Sequence, residues 1–161
     1  MAEAGVLMGG SARLICEAKG DADLHLFDVF ETLQRGVGES GPGTETAIRE
    51  HFGTVHGTMA QVERLLAPYD NVHFHPGVFP GSVPNRLAET SYSFVHIDLD
   101  LEPCIADALA YFHPRMVSGG IIIGDDYADA AVRRAFAIYL NSFPDTVIEL
   151  PWGQVMVVKQ G

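Results

Sequence analysis

Short apolar runs alternate with helix-length amphipathic segments along this chain, the signature of βα units on a mostly parallel sheet. "AEAGV" predicts a first strand cut close by the chain start, and "DLHLFD" a second strand ending at Asp28. "NVHFHP", "YSFVHIDLD" and "GGIIIGDD" predict strands three, four and five. "GGSARLICEAKG" has helical spacing, with Leu14, Ile15 and Ala18 on one side and Gly20 as a stop. "TMAQVERLLAPY" carries the stripe Met59, Val62, Leu65 and Leu66, closed by Pro68. "PCIADALAYFHPRM" predicts a helix with Pro103 in its first turn. "DAAVRRAFAIYLNSF" predicts another, with Val132, Ala135, Phe136 and Tyr139 as core and Arg133-Arg134 on a solvated face. "TVIELPWGQVMVVK" is two β runs joined by Pro151-Trp152-Gly153, a hairpin signal. The expected fold is therefore α/β, a mostly parallel sheet finished by a C-terminal antiparallel hairpin.

One stretch lacks this periodicity. "QRGVGESGPGTETAIREHFGTVHG", residues 34–57, is rich in glycine, and a loop of that length in a compact domain predicts a lid or substrate loop. The chain of 161 residues is otherwise one domain's worth, 1–161.

Composition narrows the class of function. A formal net charge of -11 with no basic block argues against nucleic acid or an anionic membrane as the main partner. No apolar run approaches membrane-spanning length. Cys16 and Cys104 form no CxxC pair, so a reduced, cytoplasmic compartment is expected. The opening "MAEAGVLMGG" has no basic region ahead of an apolar core, so no secretory signal is expected.

Four features fall at the predicted C-terminal ends of strands, where open α/β sheets bind ligands. "EAGVLMGGS", Glu3 to Ser11, has small residues that let the backbone approach a ligand, and a helix N-terminus at Gly10-Ser11. Asp28 follows at the offset where an acid can take a ribose diol. In "HIDLD", His96, Asp98 and Asp100 alternate, so they share one side if the strand continues. Asp125-Asp126 ends the strand expected beside it. Asp98, Asp125 and Asp126 converging at one sheet edge would make an oxygen-rich site suited to Mg²⁺ or Ca²⁺. His73 and His75 read as a half-buried pair on one strand face. His96 reads as a satisfied histidine in a packed strand, close enough to the acids to assist proton transfer.

The motifs "EAGVLMGGSARL", "LHLFDVFETL", "FVHIDLDLEPC", "YFHPRMVSGGIIIGDDY", "VRRAF" and "LPWGQVMVVK", in this order, resemble the macrocin O-methyltransferase family. The resemblance implies a Rossmann-like class I methyltransferase, N-terminally short, with S-adenosylmethionine as cofactor. It implies cofactor contacts at Glu3, Gly5, Gly9, Gly10, Ser11, Asp28 and Asp98. It implies Mg²⁺ on Asp98, Asp125 and Asp126, and Asp98 as the catalytic base for a hydroxyl of a sugar or other small natural product. The chain departs from the family in starting almost at Glu3, in lacking an aromatic before Glu102, and in a short link from Asp126 to Val132. The missing N-terminal cover makes a homodimer the expected assembly. The alternative reading is a non-catalytic or weakly active cofactor-binding or assembly homologue on the same fold.

Overall fold

A computed structural model describes residues 1–30 and 58–161. The loop expected over 34–57 lies outside the described residues. In chain order the elements are β1 (Ala2–Ala4), α1 (Gly10–Ala18), β2 (Leu24–Asp28), α2 (Met59–Leu66), β3 (Val72–Pro76), β4 (Tyr92–Ile97), α3 (Glu102–Phe112), β5 (Met116–Gly124), α4 (Ala130–Leu140), β6 (Thr146–Leu150) and β7 (Gln154–Val158). The strands pair in a mixed, mostly parallel pattern. The described chain divides into two compact units, Met1–Ala4 with Pro84–Gly161, and Gly5–Val83.

The first unit holds five strands in the order β1-β4-β5-β7-β6. β1 runs parallel to β4 and β4 parallel to β5, whereas β7 runs antiparallel to both β5 and β6. The expected C-terminal hairpin is therefore present. Its core includes Val95, Ile97, Ile105, Leu109, Phe112, Ile122, Phe136, Val155 and Val157, all almost fully buried. On α4 the buried residues Val132, Ala135 and Phe136 follow the predicted stripe, and Asp129 caps the helix by accepting from the N–H groups of Ala131 and Val132. Arg133 and Arg134 are exposed as expected, and each pairs with an acid, Glu149 and Glu102 respectively.

Two expectations in this unit need correcting. The fourth strand stops at Ile97 rather than running through Asp100. Asp100 takes φ 56, and Leu101 N–H bonds back to the Leu99 oxygen at 2.6 Å, so the backbone turns where alternation would have continued. The third helix stops at Phe112, and His113–Arg115 form a 3-10 turn, because Pro114 has no N–H to continue the α-helical ladder.

In the unit Gly5–Val83, β2 pairs with β3 in parallel from Leu24↔Val72 to Asp28↔Pro76. α2 begins with a capping box in which Thr58 and Gln61 satisfy each other's backbone N–H groups. Its Val62 and Leu66 are buried, in line with the predicted stripe. The inward face of α1 differs from the one expected: Leu14 is 67% exposed, while Gly9, Ala12, Cys16 and Lys19 are buried. The cause is close helix packing. A side chain at Gly9 (φ 81) would bring its Cβ within 2.9 Å of Val62 Cγ1, so small residues face α2. Lys19 is accommodated because its Nζ donates to the backbone oxygens of Gly20, Ala22 and Asp70.

Candidate active site

The glycine turn and the acid ending β2 meet in the unit Gly5–Val83. Gly5, Leu7 and Gly9 have φ of 88, 50 and 81, and Gly9 N–H closes the turn on the Val6 oxygen at 2.8 Å. Asp28 fixes this turn with both oxygens. Its Oδ2 accepts from Val6 N–H at 2.6 Å and Leu7 N–H at 2.9 Å, and its Oδ1 accepts from Phe30 N–H at 2.6 Å. A carboxylate offers roughly four acceptor positions, so one remains for a ligand hydroxyl. Gly10 and Ser11 open α1, where the first N–H groups have no acceptor within the helix and suit an anionic group. Gly5, Gly9, Gly10, Ser11 and Asp28 thus belong to one turn and its anchor.

The acids lie in the other unit, where β4 and β5 end side by side with Ile97 opposite Gly124. The backbone past each strand end is held: Asp98 N–H donates to the Ala4 oxygen at 2.8 Å, and Asp125 N–H to the Ile97 oxygen at 2.9 Å. Phe136 packs directly over Gly124, where a Cβ would lie 2.3 Å from its ring, so the support beneath Asp125-Asp126 is close-packed. Asp98, Asp100 and Asp126 each offer a carboxylate oxygen, and these atoms all lie within 4.8 Å of one another. Of the three acids expected together, the structure groups Asp98 and Asp126 and adds Asp100. Asp125 is half-buried alongside, its Oδ1 accepting from Asp126 N–H at 3.0 Å.

Crowding shows in the proton affinities. Burial, then the Asp125 charge, pushes Asp98 up to about 6. Burial, then the hydrogen bond to Asp126 and the charge of Asp98, pushes Asp100 up to about 7. Asp100 joins through its left-handed backbone rather than through strand alternation. Aspartate tolerates that conformation, so the residue type was the available signal.

Glu3 and His96 stand opposite each other on β1 and β4. Glu3 is fully buried, and its Oε1 lies 2.9 Å from His96 Nδ1. Burial disfavours the charged imidazole, but the hydrogen bond and charge of Glu3 outweigh it and hold His96 above its ordinary pKa. The second oxygen of Glu3 is buried with no hydrogen-bond partner among the described residues.

Two histidine arrangements stand apart from these sites. His25 on β2 is hydrogen-bonded to His75 at 3.1 Å and stacks on both His73 and His75, while His73 pairs with Asp23 at 2.7 Å. Burial, then the two neighbouring histidines, lowers His25 to about 4. His113 is buried against Asp145 in a short hydrogen bond, and Asp145 also accepts from Gln160 N–H at 2.8 Å. Neither Asp145 nor His25 was singled out by sequence spacing, because each partner is distant along the chain.

Comparison with known proteins gives a consistent picture. The family described as Macrocin-O-methyltransferase (TylF) matches residues 1–152. An 8-demethyl-8-(2,3-dimethoxy-alpha-L-rhamnosyl)-tetracenomycin-C 4'-O-methyltransferase of Streptomyces olivaceus is 33% identical over 157 residues, 89% of this chain and 58% of that protein. A mycinamicin III 3''-O-methyltransferase of Micromonospora griseorubida is 28% identical over 162 residues, 92% of this chain and 63% of that protein. The chain therefore spans about three fifths of the length of these curated relatives. In fold it is similar to the O-methyltransferase NovP, with a TM-score of 0.80 and 24% identity over 100% of this chain and 72% of that one. That likeness identifies the architecture as the Rossmann-like methyltransferase fold. With its motifs in family order and the family match running from residue 1 to 152, this chain belongs to the macrocin O-methyltransferase family.

Proposed function

We propose that this protein is an S-adenosylmethionine-dependent, Mg²⁺-assisted O-methyltransferase acting on a hydroxyl of a sugar or other small natural product. The observation that carries this reading is the convergence of Asp98, Asp100 and Asp126 at the strand ends of a chain from this family. All the donors are hard carboxylate oxygens, and the proton affinities of Asp98 and Asp100 are raised first by burial and then by the neighbouring acids. A hard divalent cation suits such a donor set. Asp98 and Asp126 would hold it, with Asp100 or Asp125 completing the set.

When bound, S-adenosylmethionine would supply an electrophilic methyl group, and Mg²⁺ would lower the pKa of a coordinated hydroxyl. The chain's own residues then divide the work. The first N–H groups of α1, at Gly10 and Ser11, are offered to the cofactor, and Asp28 rigidifies the preceding turn and offers its remaining acceptor position to a ribose hydroxyl. Glu3, buried beside His96, fixes the pairing of β1 with β4 next to Asp98. Asp98 accepts the proton of the acceptor hydroxyl. Without a bound cation, burial and the charge of Asp125 raise its pKa to about 6, and a neighbouring cation would favour the ionised form that accepts a proton.

The proposal includes a cytoplasmic setting, supported by two buried thiols, Cys16 and Cys104, that form no disulfide. It also includes a homodimer, supported by Val147 and Ile148, 44% and 40% exposed on the outermost strand β6. Among the described residues no helix is long and apolar enough to cross a membrane.

Isothermal titration of the purified protein with S-adenosylmethionine, with and without Mg²⁺, tests the central reading. Saturable binding is expected, and a folded sample that binds no cofactor would sink it. A sample that binds cofactor but transfers no methyl group to any glycoside acceptor would instead be a non-catalytic homologue.

A further inference from the structure

The only tryptophan of the chain, Trp152, is 97% exposed. It occupies the 3-10 turn Pro151–Gly153 between β6 and β7 with φ 60 and ψ 28, a left-handed backbone that a bulky residue rarely adopts. The turn is anchored from one side. Tyr127 N–H donates to the Gly153 oxygen at 2.5 Å, and a Cβ on Gly153 (φ 81) would meet Ala128 Cβ at 3.1 Å. Antiparallel pairing of Val155 with Gly124 puts this tip at the end of β5 that leads into Asp125 and Asp126. Trp152 is thus one peptide bond from a residue fastened to Tyr127, which directly follows Asp126.

Hairpin stability does not account for an indole there. A two-position turn with positive φ is better served by asparagine and glycine, and a large aromatic left in water forgoes the burial it could gain. Of the other strongly exposed apolar side chains, Leu14 and Ile138 lie within helices, where scattered exposed aliphatics need no explanation, and Met8 lies in the glycine turn ahead of α1. Trp152 differs in being held by a strained backbone next to Gly153, which is bonded to the residue that follows Asp126. Strained positions of this kind concentrate at ligand clamps.

We infer that Trp152 is a specificity-determining platform for the methyl acceptor, its indole face stacking on the C–H face of a hexose ring whose hydroxyls reach the neighbouring carboxylates. The inference rests on the methyltransferase reading above and names the part of the acceptor that this rim recognises. One pyranose ring satisfies both halves of the rim, because it has a C–H face for the electron-rich indole and hydroxyl donors for Asp98, Asp100 and Asp126. A second copy of this chain is a poorer occupant, since two such rims would bring like-charged acids together.

The single tryptophan makes the test direct, because intrinsic fluorescence reads this residue alone. The protein is titrated with methyl α-L-rhamnopyranoside in Mg²⁺ buffer, and acrylamide quenching is followed. Stacking on one indole face is expected to lower the quenching constant by about half. In calorimetry, Trp152→Gly, which removes the ring but suits the left-handed backbone, should weaken glycoside binding about tenfold, or about 1.4 kcal/mol. Trp152→Phe should retain most of the affinity, and S-adenosylhomocysteine binding should be unchanged in both variants. Quenching that stays constant across the titration, or glycoside binding unaffected by Trp152→Gly, overturns the inference. Shielding that grows with protein concentration in the absence of glycoside overturns it in favour of self-association. The fluorescence readout needs no cofactor, so its failure is separable from a failure to bind S-adenosylhomocysteine.

Discussion

Asp28 Oδ2 lies 2.6 Å from the backbone nitrogen of Val6, so the acid that ends β2 is also the brace of the glycine turn. A residue that only bound ribose would leave the free protein indifferent to its loss. Asp28→Ala should instead weaken S-adenosylmethionine binding and lower the stability of the free protein by about 2 kcal/mol, the scale of charge-assisted hydrogen bonds to backbone N–H groups. Chemical denaturation without ligand checks this, and an unchanged midpoint would show that the brace is not energetically significant.

The acid cluster gives a pH signature. Asp98 and Asp100 bind protons more tightly in the folded protein, at about 6 and about 7, than at their ordinary 3.8. Their contribution to stability is therefore complete below the ordinary value and is lost as pH rises through 6 to 7. Asp100→Asn should raise the melting temperature of the metal-free protein at alkaline pH and flatten this decline. Mg²⁺ should do the same for the unaltered chain by supplying the missing counter-charge. Thermal melts across pH with chelator or Mg²⁺ decide the matter. A metal-free protein that becomes more stable as pH rises through this window would contradict the sign.

His25 has the opposite linkage. Its folded value, about 4, lies below the ordinary 6.5, so the unfolded chain takes up the proton first. The stability associated with the neutral ring is present above 6.5 and is lost as pH falls toward 4. His25→Gln should reduce the acid sensitivity of the Gly5–Val83 unit. Hydrogen exchange along β2 and β3 at two pH values provides the measurement, and equal acid sensitivity in both proteins would argue that another group governs it.

The pair His113 and Asp145 should be costly to break from one side. Both side chains are only 1% exposed, so His113→Ala would leave a buried carboxylate without its main partner. A loss of about 3 kcal/mol is expected. Urea unfolding would expose a weaker role if the loss were below about 1 kcal/mol.

How far the sequence spoke depended on the kind of signal each residue carries. The strands were legible because "FVHI" and "GGIII" are apolar runs of strand length, and the stripe on α4 because Val132, Phe136 and Tyr139 are large and recur at helical spacing. The inward face of α1 was not, because its helix contact selects glycine, alanine and cysteine, which carry little hydrophobic signal. Lys19 compounded the problem, since its charge is satisfied by three carbonyls, one of them on Asp70 far along the chain. Asp98 and Asp126 were legible as strand-end acids. Asp100 joined them through a turn, which period-two alternation does not describe. Trp152 was visible as part of a hairpin signal, but its exposure depends on what the hairpin tip packs against.

The pairing of β1 with β4 also has a consequence for how the chain acquires its fold. Glu3 and His96 are separated by 93 residues, and β1 is only three residues long. Such a short strand gains little from local contacts, and its partner within the same unit is absent until Tyr92–Ile97 has been synthesised. During translation β1, with the buried carboxylate of Glu3, must wait until the strand that carries His96 has been made. Closure of this strand pair is therefore expected late in folding, as a long-range step with a large loop-closure cost.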